Sequence, residues 1–177
     1  MGTMRNEIRQ TRPFESAAQE AVVTLLGTAD RVRTALSRVT EAHAVTLQQY
    51  NVLRILRGAG PGGLPTLDVP ARMIEHSPGI TRLLDRLEAR GLVRRERCEE
   101  DRRQVLCHAT EEARRLLADL DGPMAEAARR SLAPLDAPRT AELVRLLDAV
   151  RAAASSPPTP NPIPQRAQSR TQKETRK

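Results

Sequence analysis

The stretch HSPGITRLLDRLEARG, residues 76–91, is followed without a linker by LVRRERCEEDRRQVLCHA, residues 92–109, and this pair limits the fold more than any other feature of the chain. Ile80, Leu83, Leu84 and Leu87 stand at i, i+3, i+4 and i+7, one narrow apolar stripe of a helix. Ser77 is placed to cap that helix, Pro78 suits its first position and Gly91 ends it. The opposite face carries Thr81, Arg82, Asp85 and Arg86. The sequence then reads as strand Leu92–Cys98, turn Glu99–Arg102 and strand Arg103–Ala109. Five arginines (Arg94, Arg95, Arg97, Arg102, Arg103) crowd into this hairpin.

The elements around it are helical. From about Glu15 to Ala42, Ala18, Val22, Leu25, Ala29, Val32, Leu36 and Val39 repeat in steps of four and three, a heptad seam suited to packing within the chain or between subunits. Thr46 with Gln49 forms a capping box for a second helix, whose face is Leu47, Tyr50, Leu53 and Leu56 and which Gly58 to Pro61 stops. A short strand is expected near Leu64. A third helix is expected over Thr66 to Glu75, with Asp68 the better cap because Pro70 then falls in the first turn. Thr110, with Glu111 and Glu112 behind it, opens a fifth helix, expected to break or kink at Gly122-Pro123. A last helix covers about Pro138 to Ala152.

Helix, turn, helix and hairpin in this order describe a winged helix-turn-helix: a mainly α fold with a small β-hairpin wing. The division expected is an N-terminal dimerisation helix in 1–45, the winged domain in 46–109, C-terminal dimerisation helices in 110–152 and a disordered tail in 153–177. The net charge of +7 is unevenly spread. Residues 152–177 carry five cations against Glu174, leaving +3 for the rest, and they hold SSPPTPNPIPQ. So polar a segment cannot offset its ordering entropy by burial. One Phe, one Tyr and no Trp argue against binding single strands by stacking. Duplex DNA read by arginine needs no such platform. No apolar run approaches a membrane span and no secretory leader is visible, which makes the expected location cytoplasmic.

TLQQYNVLRILRGAG, PGITRLLDRLEARGLVRR and EEDRRQVLCHAT carry a family likeness: from about residue 14 to 150 the chain resembles the MarR family of bacterial transcriptional regulators. Asp101-Arg102-Arg103 in the wing is the most specific mark. The resemblance implies a homodimer built by interleaved terminal helices, pseudo-palindromic promoter DNA as partner, and release by a small aromatic or phenolic effector or by cysteine oxidation. Two departures stand out. Ala113 occupies a position where the family usually has glycine, and Pro70 sits inside the third helix.

The recognition-helix candidates are Ser77, Thr81, Arg82 and Arg86; arginine bonds guanine in bidentate fashion and the hydroxyls reach bases or phosphates. Arg86 ranks below Arg82, because Asp85 or Glu88 could claim it. The wing candidates are Arg95, Arg97, Asp101, Arg102 and Arg103. The resemblance favours Asp101 orienting Arg103 by a charge-assisted pair; which of Arg102 and Arg103 enters the minor groove stays open. Arg94, Arg95 and Arg97 read as phosphate contacts or strand-face charges. An effector pocket is placed near His43, Tyr50 and Arg54. With a four-residue turn, Cys98 faces Arg103 and Cys107 faces Arg94, about 13 Å apart along the strands, too far for a disulfide. The histidines His43, His76 and His108 lack metal spacing, and no nucleophile–base pattern appears, so neither metal, cofactor nor catalysis is expected. The competing reading is a winged-helix module that binds DNA without sequence preference, or a protein.

Overall fold

Ser16 opens the first long helix by accepting the Gln19 N–H on its hydroxyl at 3.2 Å. The computed structural model describes residues 4–75, 79–98 and 101–155. A short helix α1, Met4–Glu7, precedes the long α2, Ala17–Glu41. Arg31 holds Glu7 at 2.7 Å, and the Met4 side chain occupies the space a Cβ on Gly27 would need. The capping box at Thr46 starts α3, Leu47–Ala59: the Gln49 N–H and the Thr46 N–H each reach the other side chain, at 3.2 and 2.9 Å.

Strand β1, Leu64–Pro65, leads through a single tight turn, Thr66–Asp68, into α4, Val69–Arg72. The later start matches the preference for Asp68 over Thr66, with Pro70 in the first turn at little cost. The helix is shorter than expected, since Met73 is already extended. Helix α5 runs Ile80–Ala89, strands β2 and β3 run Val93–Arg97 and Val105–Ala109, and α6 runs Glu111–Ser131. Of the expected break or kink in α6, the break does not occur: the helix passes through Pro123. Leu120 and Met124, on either side of it, are both buried. Packing thus outweighs the lost backbone bond.

The sheet is antiparallel in the order β1-β3-β2. Arg95 pairs with Cys107 and Arg97 with Val105, and the Cys98 N–H donates to the Gln104 carbonyl at 3.0 Å. The expected register is therefore one residue off. The connection spans 99–103, Cys107 faces Arg95 rather than Arg94, and Cys98 lies opposite Gln104. Cys98 and Cys107 are both free thiols, with Cys107 buried.

The core joins Val52, Leu53 and Leu56 of α3 to Leu84 and Leu87 of α5 and Leu117 and Leu120 of α6, all at most 1% exposed. Leu36 and Val39 of α2 pack against it. Arg57 clasps Asp121 with two bonds of 2.9 and 3.0 Å, tying α3 to α6 and holding the Asp121 carboxyl below its ordinary value.

Residues up to Ala133 form one compact unit, and those from Pro134 on form a second. In the second, α7, Ala137–Ser155, has the Arg139 N–H bonded to Asp136 Oδ1 at 2.9 Å and buries none of its residues. Its Val144, Leu146 and Val150 are at least half exposed. Apart from 153–155, the expected tail lies outside the described residues.

Candidate nucleic-acid interface

Gly79, at φ +96°, starts α5 and accepts the Leu83 N–H at 3.1 Å. Only glycine adopts that backbone without strain. At the other end the Leu92 N–H bonds the Leu87 carbonyl at 2.9 Å and the Gly91 N–H bonds that of Glu88 at 2.8 Å, a Schellman close with Gly91 at φ +69°. This turns the chain directly into β2. Thr110 strengthens the corner: its hydroxyl donates to the Gly91 carbonyl at 2.7 Å and accepts the Ala113 N–H at 3.2 Å, which caps α6. Arg90 reaches the Ala44 carbonyl at 2.6 Å, and Arg33 reaches Glu75 at 2.8 Å, just ahead of α5.

With Leu83, Leu84 and Leu87 buried, Thr81, Arg82, Asp85 and Arg86 are left exposed on the outer face of α5. Ser77, the remaining helix candidate, lies outside the described residues. Among the described residues Arg82, Arg86, Arg97, Arg102 and Arg103 form no ion pair, and all five are exposed. Arg86 was ranked lower because Asp85 or Glu88 could claim it; those acids take Arg95 instead.

Two wing expectations need correction. Arg95 does not face outward. Its guanidinium pairs with Asp85 through Nη2 and lies 3.0 Å from Glu88 Oε2 through Nε, and its side chain is only 18% exposed. Asp101 does not pair with the Arg103 guanidinium. Its carboxylate accepts the Arg103 backbone N–H and the Gln104 side-chain amide, each at 3.0 Å, so it shapes the turn while the Arg103 side chain forms no ion pair among the described residues.

On the other face of the hairpin Arg94 is neutralised by Glu96. The buried His108 ring lies against Gly63, with Nε2 2.9 Å from Glu96 Oε1 but out of hydrogen-bond alignment. Burial first, then the Arg94 and Arg114 charges, push this imidazole below its ordinary value, and the Pro61 carbonyl opposes them. Glu96 is already claimed by Arg94, so it adds little. The sequence showed His108 only as a histidine without metal partners, because its neighbour Gly63 is 45 residues away in the chain.

The sign of the pH effect follows. The folded protein keeps His108 neutral where the unfolded ring has begun to charge, so its contribution is whole above about pH 6.5 and is lost as pH falls below that toward the lowered folded value. His108→Gln is expected to flatten the loss of thermal stability between about pH 7 and pH 5 relative to the native chain. An unchanged slope in melting experiments would show that His108 is not the titrating group.

Tyr50 is buried, and burial raises its hydroxyl above the ordinary value; the Arg54 guanidinium lies 5.7 Å from the ring centre. The His43 ring bonds the Val39 carbonyl at 3.1 Å. An open cavity of about 450 Å³ lies between α2 and α6, lined by Ala35, Arg38, Val39, Ala127, Arg130 and Ser131. Among the described residues no group of three metal-ligating side chains stands together, and no helix is long and apolar enough to cross a membrane.

A capped helix whose outer face bears free arginines, joined through a glycine turn to an arginine-rich antiparallel hairpin, is a winged helix-turn-helix. The MarR family model matches residues 45–105, from the capping box to the second wing strand. The crystal structure of a MarR transcription factor from Planctomyces limnophilus is 39% identical, covers 77% of this chain and 99% of that one, and superposes with a TM-score of 0.60. This chain belongs to the MarR family, whose members regulate transcription and are not enzymes. An uncharacterised HTH-type transcriptional regulator of Bacillus subtilis (strain 168), YfiV, is 37% identical over 76 residues, 43% of this chain and 46% of that one. The chain thus spans under half the length of that curated relative. The Staphylococcus aureus MepR–DNA complex shares the fold at 17% identity, with 73% of this chain and 94% of that one covered and a TM-score of 0.67.

Proposed function

We propose that this chain is a sequence-specific transcriptional regulator, acting in the cytoplasm as a homodimer that represses from a pseudo-palindromic DNA operator. The observation that carries the reading is the set of five exposed arginines on the outer face of α5 and on the wing that form no ion pair among the described residues. Arginines already neutralised by the protein contribute little to a polyanion; free ones release counterions and can bond bases. In this reading Thr81, Arg82 and Arg86, with Ser77 ahead of them, enter the major groove. Arg97 meets phosphate, and Arg102 or Arg103 enters the adjacent minor groove. The S. aureus relative solved with DNA has the same fold, which supports the mode of use.

Dimerisation by residues 1–45 and 110–152 is supported by apolar side chains that each unit leaves uncovered: Val22 and Leu26 of α2 at 55% and 65% exposure, and Val144, Leu146 and Val150 of α7. A second copy that buries them offsets the cost of their exposure. Response to a small aromatic acid is supported by the cavity between α2 and α6, which has the size of a small-ligand pocket, with Arg38 and Arg130 to meet a carboxylate.

The test is selection of binding sites from random duplex at about 150 mM salt. A palindrome with half-sites about one helical turn apart is expected. Arg82→Ala is then expected to cost roughly 1–3 kcal/mol and to relax preference at one base pair per half-site. Uniform weakening on every sequence would instead favour the non-specific module.

A further inference from the structure

We infer that Arg95 is a positioning residue that, with Asp85 and Glu88, latches the wing to α5 so that helix and hairpin meet DNA as one rigid head. The inference rests on the DNA-binding reading above. Arg95 and its neighbour Arg94 are both strand arginines, yet their side chains are 18% and 59% exposed. Arg95 is held by two hydrogen bonds and one close charge contact, in which Nε is out of hydrogen-bond alignment. Nη2 pairs with Asp85, Nε lies 3.0 Å from Glu88 Oε2, and the backbone N–H donates to Glu88 Oε1 at 3.2 Å. Asp85 and Glu88 are one turn apart, so both carboxylates leave the same side of α5. Across the ladder from Arg95 is the buried Cys107, whose sulfur lies 3.2 Å from the Thr66 hydroxyl. The latch therefore lies over the best-supported part of the sheet.

Position along the hairpin makes the latch matter. Strand β1 pairs with β3 at Cys107 and Leu106, the Thr66 hydroxyl donates to the Val105 carbonyl at 2.9 Å, and among the described residues only β3 pairs with β2. A two-stranded hairpin alone is marginal. Beyond Arg95, Arg97 makes no ion pair among the described residues, and Cys98 is held by the ladder bond to Gln104. Arg95 is thus the outermost described residue of β2 whose side chain an element outside the hairpin grips. Arg102 and Arg103 lie further out, and the angle at which they meet a groove depends on that grip. The guanidinium also offsets one of the two negative charges that Asp85 and Glu88 place beside the wing.

The experiment uses the full chain and its selected operator. Arg95→Gln is expected to speed amide hydrogen exchange in 93–107 of the free protein, with α3 and α6 unchanged, and to weaken operator binding roughly tenfold. Arg103→Ala is expected to cost much less in the Arg95→Gln background than in the native chain, because an unlatched wing no longer delivers its tip; a general loss of stability would leave the two costs additive. Arg95→Lys, which keeps the charge but loses the fork, is expected to behave like Arg95→Gln and serves if Arg95→Gln does not fold. The double variant Asp85→Asn, Glu88→Gln decides the sign. Removing two negative charges should tighten DNA binding if Arg95 were a plain phosphate contact, whereas the latch requires weaker binding. Tighter or equal binding, or additive costs, overturns the inference. Exchange is measured without DNA, so absence of any selected operator would sink the DNA-binding reading while the latch is still judged on the free protein.

Discussion

Leu84→Ala is expected to lower the melting temperature of the full chain by roughly 10 °C at fixed protein concentration, the counterpart of about 3 kcal/mol. Leu84 is completely buried, in a core cluster that includes Leu53, Leu87 and Leu117. The truncation removes buried apolar surface and leaves a cavity that three facing helices cannot close without moving. Because Leu84 backs the outer face of α5, the loss is felt at Arg82 and Arg86 as well. Leu67→Ala is the matched control: at 88% exposure the same truncation should shift melting by no more than about 0.5 kcal/mol. Equal effects at the two positions would contradict the burial argument.

Gly63→Ala is the second large effect, expected to destabilise by about 3 kcal/mol. Gly63 has φ +69°, and a Cβ there would come within 2.4 Å of His108 Cε1 and 2.7 Å of both ring nitrogens. Backbone strain and collision add, and the ring must leave its place beside Glu96. Gly62→Ala, where a Cβ meets nothing within 4 Å, is expected to be nearly neutral. The displaced ring becomes solvated, so Gly63→Ala should also lose the excess pH sensitivity of the native chain below about pH 6.5. Thermal melting of the two alanine variants at two pH values checks both statements; parity between them would contradict the packing of His108 on Gly63.

Local signals of one turn or less carried well from sequence to structure. Thr46 with Gln49, Thr110 ahead of its two glutamates and Gly91 after the leucine stripe each act within about one turn. Their hydrogen bonds are therefore encoded where they are made. The stripe of Leu83, Leu84 and Leu87 was equally legible, since helical periodicity alone decides which side of α5 faces the core. Where reading failed, a distant partner decided. Pro123 signalled a break or kink, and with Leu120 and Met124 buried the helix α6 is not broken. The hairpin slipped one residue, because register depends on the conformation of the turn, with Asp101 bonded to the Arg103 backbone and Gln104, and not on composition. Arg95 looked like one arginine among five until Asp85 and Glu88, ten and seven residues earlier, were brought beside it.

By itself, then, the sequence determined the order of the main elements, the caps at Thr46 and Thr110 and the arginine content of the wing, because these follow from neighbours in the chain; the start of α5 was not among them, since its N-cap is Gly79 and not Ser77. Only the tertiary structure decided which arginines remain free. Charge is written residue by residue, but neutralisation depends on which carboxylate folding places within about 4 Å. That choice left Arg82, Arg86, Arg97, Arg102 and Arg103 exposed and without an ion pair among the described residues, and paired Arg94 and Arg95 with carboxylates of the protein.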